Sequence, residues 1–214
     1  VPVRRLSRRE ASELAYFGAK ILHSRTMEPL AGTDIAIRIM NLHGQGAGRR
    51  PGSLIDDRRR VSRNVIKSIA STDRIGILRL DGPGLGARSG VMARATAALD
   101  AAGINILSVI TAQTAITILL SGSDLEKAVR VLKRLALPAV ESVKGDGDAA
   151  LLAAVGEGIR ERCGILARIA GVLAGKGINI KLSASGPSEA AVYLVVRRRD
   201  RRRAQSAIHH EFFR

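Results

Sequence analysis

Residues 74–80, RIGILRL, set apolar and polar positions in the short alternation of a strand and end at a Gly-Pro-Gly turn. Within 89–102, Val91, Ala95, Ala98 and Leu99 recur at helical spacing, and Gly103 is a natural stop. INILSVITA (104–112) and AITILLS (115–121) read as two strands. Ser123-Asp-Leu-Glu126 has the form of a capping box and predicts a helix to about Leu135. Pro138 closes that region, and AVESV (139–143) reads as a last strand. The order is βαββαβ. Further on, the pattern predicts a strand at 149–156, a helix at 163–176, strands at 178–184 and 190–196, and a helix at 200–212.

The second series repeats the first. GPGLGARSGVMARATAALDAAGINI (82–106) aligns with GEGIRERCGILARIAGVLAGKGINI (156–180) at a constant offset of 74, and 11 of 25 positions are identical. Each copy is a ferredoxin-like βαββαβ unit with helices on one sheet face. The second copy ends one strand short. The strand-like piece left unassigned is NVIKSIA (64–70), so this segment is expected to complete the second sheet, with the first unit inserted between. The fold class is therefore α+β, and the expected divisions are 1–60, 61–145 and 146–214.

Composition narrows the class. Only five of the 214 residues are aromatic (Tyr16, Phe17, Tyr193, Phe212 and Phe213), so Ala, Ile, Leu and Val must build thin sheet-and-helix layers. A single cysteine, Cys163, excludes an internal disulfide framework and makes a cytoplasmic location the expectation. No apolar run approaches the roughly 20 residues of a membrane span. The first residues, VPVRRLSRRE, have neither an initiator Met nor an apolar signal core, so a fragment or processed product is expected. The net charge is +16, gathered in RRLSRRE, DDRRRVSR and RRRDRRR. These clusters could meet phosphates, but no aromatic residue is interleaved for base stacking; nucleic acid is not expected as a main partner, and a basic nucleic-acid-binding regulator stays as an alternative.

The loop LDGPGLGARSG (80–90) contains Gly-x-Gly-x-x-Ala, a form of the dinucleotide fingerprint. That fingerprint needs a parallel βαβ unit and an acid at the end of the second strand. Here the strand after the helix is followed at once by another strand, and Leu107 stands where a ribose contact would be sought. The nucleotide reading is set aside. What remains is a glycine-lined turn into a helix, in two copies, whose free N–H groups at 89–92 and 163–166 can receive a carboxylate. The same residues serve equally as a tight turn, with Asn105 and Asn179 as local strand-start caps. His43, His209 and His210 form no metal-ligand pattern with Cys163, and no metal is expected. His23 has no partner at catalytic spacing and is expected to be a packed residue.

DGPGLGARSGVMAR…AGINI and AAVGEGIRERCGILARIAGVLAGKGINI resemble paired ACT domains, small-molecule sensing units. Upstream, EASELAYFGAKILHSRTMEPLAGTDIAIRIMN (10–41) and PGSLI (51–55) are similar to the end of the kinase domain of aspartate kinases, and AIHHEFF (207–213) to their last helix. The resemblance covers nearly the whole chain in order. It implies two ACT domains, one inserted in the other, after a short α/β tail of an amino-acid kinase domain. It also implies ATP-dependent phosphorylation of L-aspartate by a parent kinase that uses ATP and Mg. No Lys-Phe-Gly-Gly-like core is present, so this chain is expected to carry no catalytic residue and no cofactor, and to be inactive alone.

The resemblance places an amino-acid effector, threonine or lysine, at an interface between ACT units. In the first unit it implicates Ala87, Arg88, Ser89, Gly90, Val91 and Met92, then Asn105, Ile106, Leu107 and Thr111. In the second it implicates Arg162, Cys163, Gly164, Ile165, Asn179 and Ile180, with Ser188 and Glu189. Lysine-sensitive members tend to carry an acid where this chain has Leu107, and TAQTAIT (111–117) lacks a Ser-Glu found in many relatives. Threonine is therefore the easier effector. Where relatives have Pro, this chain has Ser24. The expected partners are a second copy in a homodimer or a kinase catalytic subunit; a free-standing regulatory subunit is the other form implied.

Overall fold

The computed structural model describes residues 3–19, 22–30, 32–40 and 52–213. The first elements are β1 (Arg5–Ser7), α1 (Arg8–Tyr16), β2 (Ile37–Ile39), β3 (Ser53–Asp56) and β4 (Ser68–Thr72). Next come β5 (Ile75–Asp81), α2 (Val91–Ala101), β6 (Ile106–Ala112), β7 (Ala115–Ser121), α3 (Leu125–Leu135) and β8 (Ser142–Asp146). The chain continues through β9 (Ala150–Val155), α4 (Ile165–Ala174), β10 (Leu182–Ser185), β11 (Ala191–Val196) and α5 (Arg201–Phe212). Contacts divide these into two units, one from residues 73–150 and one from 1–72 with 151–214.

The 73–150 unit is a four-stranded antiparallel sheet in the order β6-β7-β5-β8. Alternate residues Leu78, Leu80, Ile116, Ile118 and Leu120 of β5 and β7 meet Val91, Ala95 and Leu99 of α2 and Leu125, Ala128 and Leu132 of α3. The two-residue period of the strands and the three-to-four-residue period of the helices thus converge on one core face. Each such Leu or Ile contributes roughly 1.5–3 kcal/mol of burial.

The other unit holds a sheet in the order β10-β11-β9-β4. β4 pairs antiparallel with β9, Ser68 opposite Val155 and Thr72 opposite Leu151. The closing strand therefore precedes the first unit in sequence, which is inserted between β4 and β9. β9 and β11 are buried along their whole length, which is why ALLAAV and AVYLVV read as unbroken apolar runs. α5 lies against α4 and β4, and Phe17 after α1 packs on Tyr193 of β11 with ring centroids 5.2 Å apart. A three-stranded sheet, β1-β3-β2, and α1 complete this unit.

Several expected boundaries move. The closing strand begins at Ser68 rather than 64, because 62–66 form a turn with Val65 at φ 63° and Val65 N–H donating to Ser62 O. β8 begins at Ser142 rather than 139, after Ala139 at φ 68°. β10 begins at Leu182 rather than 178. The capping box expected at Ser123 does not form: a 3-10 turn, Gly122–Asp124, precedes α3, and the Ser123 hydroxyl meets that of Ser121 at 2.8 Å. A capping box forms instead at Ser7 and Glu10, which start α1 with reciprocal bonds. His23 is exposed rather than packed, its Nδ1 accepting from Arg25 N–H at 3.3 Å. His43 lies outside the described residues, as do Lys20, Ile21, Ala31, Asn41 and Pro51 of the kinase-like segments.

Candidate functional site

The repeated loops lead into α2 and α4 in the same way. Gly90 and Gly164 are the N-caps, at φ 79° and 83°, and neither helix receives a side-chain cap. Only glycine adopts this conformation without strain. The first-turn N–H groups of both helices therefore meet no capping side chain, and the helix dipole adds a partial positive charge there. A second pair of glycines answers to crowding. A Cβ at Gly82 would collide with Ala139 O, and one at Gly156 with Val65 O. The glycine spacing of 82–90 is thus explained by close backbone approaches and helix capping.

Arg88, Ser89, Gly90 and Met92 are exposed at the loop, as are Arg162, Cys163 and Gly164 at its counterpart. Val91 and Ile165 are core side chains, so only their backbone is available to a ligand. Asn105 is exposed just before β6, and Asn179 is exposed before β10. Leu107 is the extra residue of a β-bulge: Ile106 pairs with Leu120 and Ser108 with Leu119.

Register divides the expected site residues between two ends of each sheet. Asp81, at the mouth of the first loop, pairs with Ala115, which pairs with Ala112 one residue beyond Thr111. Ile106 pairs with Leu120, which pairs with Gly76 at the start of β5. Six residues of β6 separate these ends, about 20 Å. Residues 88–92 and Thr111 share one end; Asn105, Ile106 and Leu107 share the other. The second unit repeats the division. Gly156 N–H donates to Ala190 O, which joins the loop to the 188–190 turn, whereas Lys181 N–H reaches Val195 O at the far end, where Asn179 and Ile180 lie. No free amino acid spans both ends of one unit.

Ser188 and Glu189 turn toward the N-terminal helix. Ser188 Oγ donates to Glu13 at 2.6 Å, and Glu189 pairs with Arg9. They line a cavity of about 650 Å³ with Ser12, Glu13, Met27 and Asp57. Arg8 at its wall donates to the carbonyls of Leu30, Thr33 and Ile35 and pairs with Asp57 at 3.0 Å.

A buried polar cluster escapes detection in the sequence. Glu10, with no exposed surface, accepts from Ser7 N–H and Lys67 Nζ at 2.8 Å and from Glu157 N–H at 2.7 Å. Ser7 Oγ donates to Glu157 at 2.5 Å, and Arg59 reaches Glu157 at 3.4 Å. Arg59 also pairs with Glu161, whose carboxyl is held below the usual carboxylate range by that hydrogen bond. Loop 156–161 is thus tied to α1 and to the segment before β4. The signal that could have found it is Ser7-Arg-Arg-Glu10, itself a capping box hidden within a basic cluster. The other basic clusters are partly occupied internally: Arg60 bonds Asp56 through its two terminal guanidinium nitrogens at 2.6 and 2.7 Å, and Arg203 meets Asp200 at 3.0 Å.

Among the described residues, no group of three His, Cys, Asp or Glu side chains is placed to hold a metal ion, and no helix is long and apolar enough to cross a membrane.

Family models for the ACT domain match residues 70–134 and 152–212. A bifunctional aspartokinase/homoserine dehydrogenase of Haemophilus influenzae is 31% identical over 97% of this chain and 26% of its own length. The chain thus spans between about a quarter and two-fifths of the length of the curated relatives it matches. Among solved structures, the aspartate kinase of Clostridium acetobutylicum superposes with a TM-score of 0.85 at 22% identity, over 99% of this chain and 48% of that one. The regulatory subunit of aspartate kinase from Thermus thermophilus superposes with a TM-score of 0.62 at 19% identity, over 69% of this chain and 98% of that one.

Proposed function

From the premise that this chain belongs to the ACT-domain regulatory region of the aspartokinases, we propose that it senses a free amino acid and passes its occupancy to a kinase catalytic domain. The parent reaction in this reading is transfer of phosphate from ATP to the side-chain carboxylate of L-aspartate. The observation that carries the sensing role is the duplicated helix start at Gly90 and Gly164, each without a side-chain cap. The effector's α-carboxylate would lie on the N–H groups of residues 91–93 or 165–167, where the helix dipole favours an anion.

Threonine fits better than lysine. The bulged residue Leu107 offers an apolar contact and no carboxylate for an ε-ammonium. Because the loop and Asn105 occupy opposite ends of one sheet, an effector touching both needs a second ACT unit. The chain carries two ACT units, and a second copy of it or a larger partner would bring more. Transmission would run from loop 156–161 through Glu157, Glu10 and Lys67 to α1 and β4. Couplings of this kind are typically about 1–3 kcal/mol, and reciprocal for binding. A free-standing regulatory subunit is the second reading, favoured by the 98% coverage of the Thermus subunit.

Thermal unfolding with threonine, lysine, methionine or aspartate tests the proposal. An effector at 100 times its Kd adds about 2.7 kcal/mol, a rise of about 5–10 °C for a chain of this size. A shift with threonine is expected. No shift with any of the four, alone or after addition of a catalytic domain, overturns the sensing role.

A further inference from the structure

Away from both repeated loops, β1 and the turn before β4 line a second, open cavity of about 370 Å³. Arg4, Arg5, Arg63 and Lys67 line it together with Ser62 and Asn64, and no carboxylate is among the lining residues described. Lys67 is held by Glu10, whose oxygens already take three donors. Arg4, Arg5 and Arg63 are exposed and, among the described residues, engage no acid. The Ser62 hydroxyl is buried and meets no hydrogen-bond partner among the described residues. A buried hydroxyl without a partner is uncommon and asks for a reason.

The backbone gives a second, independent indication. Val65 in this turn holds φ 63°, a conformation that a β-branched side chain strongly resists. Such strain persists only where surroundings enforce it and gathers at functional sites. Here Ile66 N–H donates to Asn64 O at 2.7 Å, and Asn64 Nδ2 donates to Phe212 O at 2.7 Å, which pins the turn to the end of α5. Residues 62–67 thus face Arg4 and Arg5 across the cavity.

We propose that this cavity binds a phosphate-bearing anion, gripped by the Arg4, Arg5 and Arg63 guanidinium groups, Lys67 Nζ and the Ser62 hydroxyl. Planar guanidinium forks match phosphate oxygens in paired hydrogen bonds. With Lys67 offset by Glu10, three cationic charges remain, which suits a di- or triphosphate better than a single carboxylate. The bound anion would clamp β1, a strand of the N-terminal sheet, to the turn that feeds β4, the closing strand of the second ACT sheet. It would thereby act as an effector at the same junction that the Glu10 cluster crosses, from a site separate from the amino-acid loops.

Calorimetric titration of the full chain with sodium pyrophosphate, against sodium chloride at equal ionic strength, tests this. Saturable 1:1 binding is expected, weakened at least tenfold by Arg63→Ala and measurably by Ser62→Ala, and unchanged by Arg134→Ala on α3. Circular dichroism checks that the variants remain folded, which the exposure of Arg63 favours. A nucleoside triphosphate that binds no tighter than pyrophosphate identifies the phosphates alone as the ligand; tighter binding identifies a nucleotide as their source. Heat indistinguishable from the chloride control, or equal losses for Arg63→Ala and Arg134→Ala, would mean diffuse attraction to a basic surface and overturn the site.

Discussion

Glu10 Oε1 accepts the backbone N–H of Glu157 at 2.7 Å across 147 residues of chain, in a position with no exposed surface. Its other oxygen takes the Lys67 ammonium and the Ser7 amide. Removing one partner of a buried charge pair leaves the other uncompensated, at about 3–5 kcal/mol. Glu10→Ala is therefore expected to lower stability by that order in denaturant unfolding. Glu10→Gln keeps an acceptor for Glu157 and should cost less. In a double-mutant cycle, Glu10→Ala with Lys67→Met should lose less than the sum of the single changes.

The two glycine pairs should respond in opposite ways to side-chain size. At Gly164 nothing lies within 4 Å of the place a Cβ would take, and the cost is conformational, about 1–2 kcal/mol for Ala. Gly164→Asn, which tolerates this region, should be milder than Gly164→Ala. At Gly156 the obstacle is Val65 O, so Gly156→Asn should be worse than Gly156→Ala. Thermal unfolding of the four variants reads the difference directly.

Acid should weaken the N-terminal sheet through Asp56. The Arg60 hydrogen bonds hold its carboxyl below the usual carboxylate range. A depressed folded value means that this contribution is fully present above the unfolded-state value, about 3.9, and is lost as the pH falls through the folded value. Asp56→Asn is expected to be less stable than the parent at neutral pH, with the gap closing as the solution is acidified. Unfolding midpoints between pH 7 and 3 measure that convergence; a constant gap would contradict it.

The core of the inserted unit provides a packing test. Leu99 is fully buried between α2 and the sheet. Leu99→Ala should cost about 2–5 kcal/mol, depending on how far the site collapses. Ala97→Ser on the exposed face of the same helix should change stability by less than about 0.5 kcal/mol.

Much of this molecule was legible in one dimension because its signals are local. The apolar run 115–121 placed β7 to the residue, and the helical spacing of Val91, Ala95 and Leu99 marked the face that meets the sheet. The 74-residue repeat declared two copies of one unit, and the missing strand of the second copy pointed to the segment before the first. Tertiary structure decided what depends on partners distant in sequence. Val65 and Ala139 take left-handed backbone conformations that their residue types do not announce, and they delay β4 and β8 by several residues. The loop residues and Asn105 look like neighbours in a motif, yet antiparallel register sends them to opposite ends of the sheet, because a helix must return the chain before β6 begins. Glu10, Lys67 and Glu157 are ordinary charged residues in sequence. Only burial, which makes an unpaired charge too costly to leave alone, turns them into the joint between the N-terminal helix and the second glycine-lined loop.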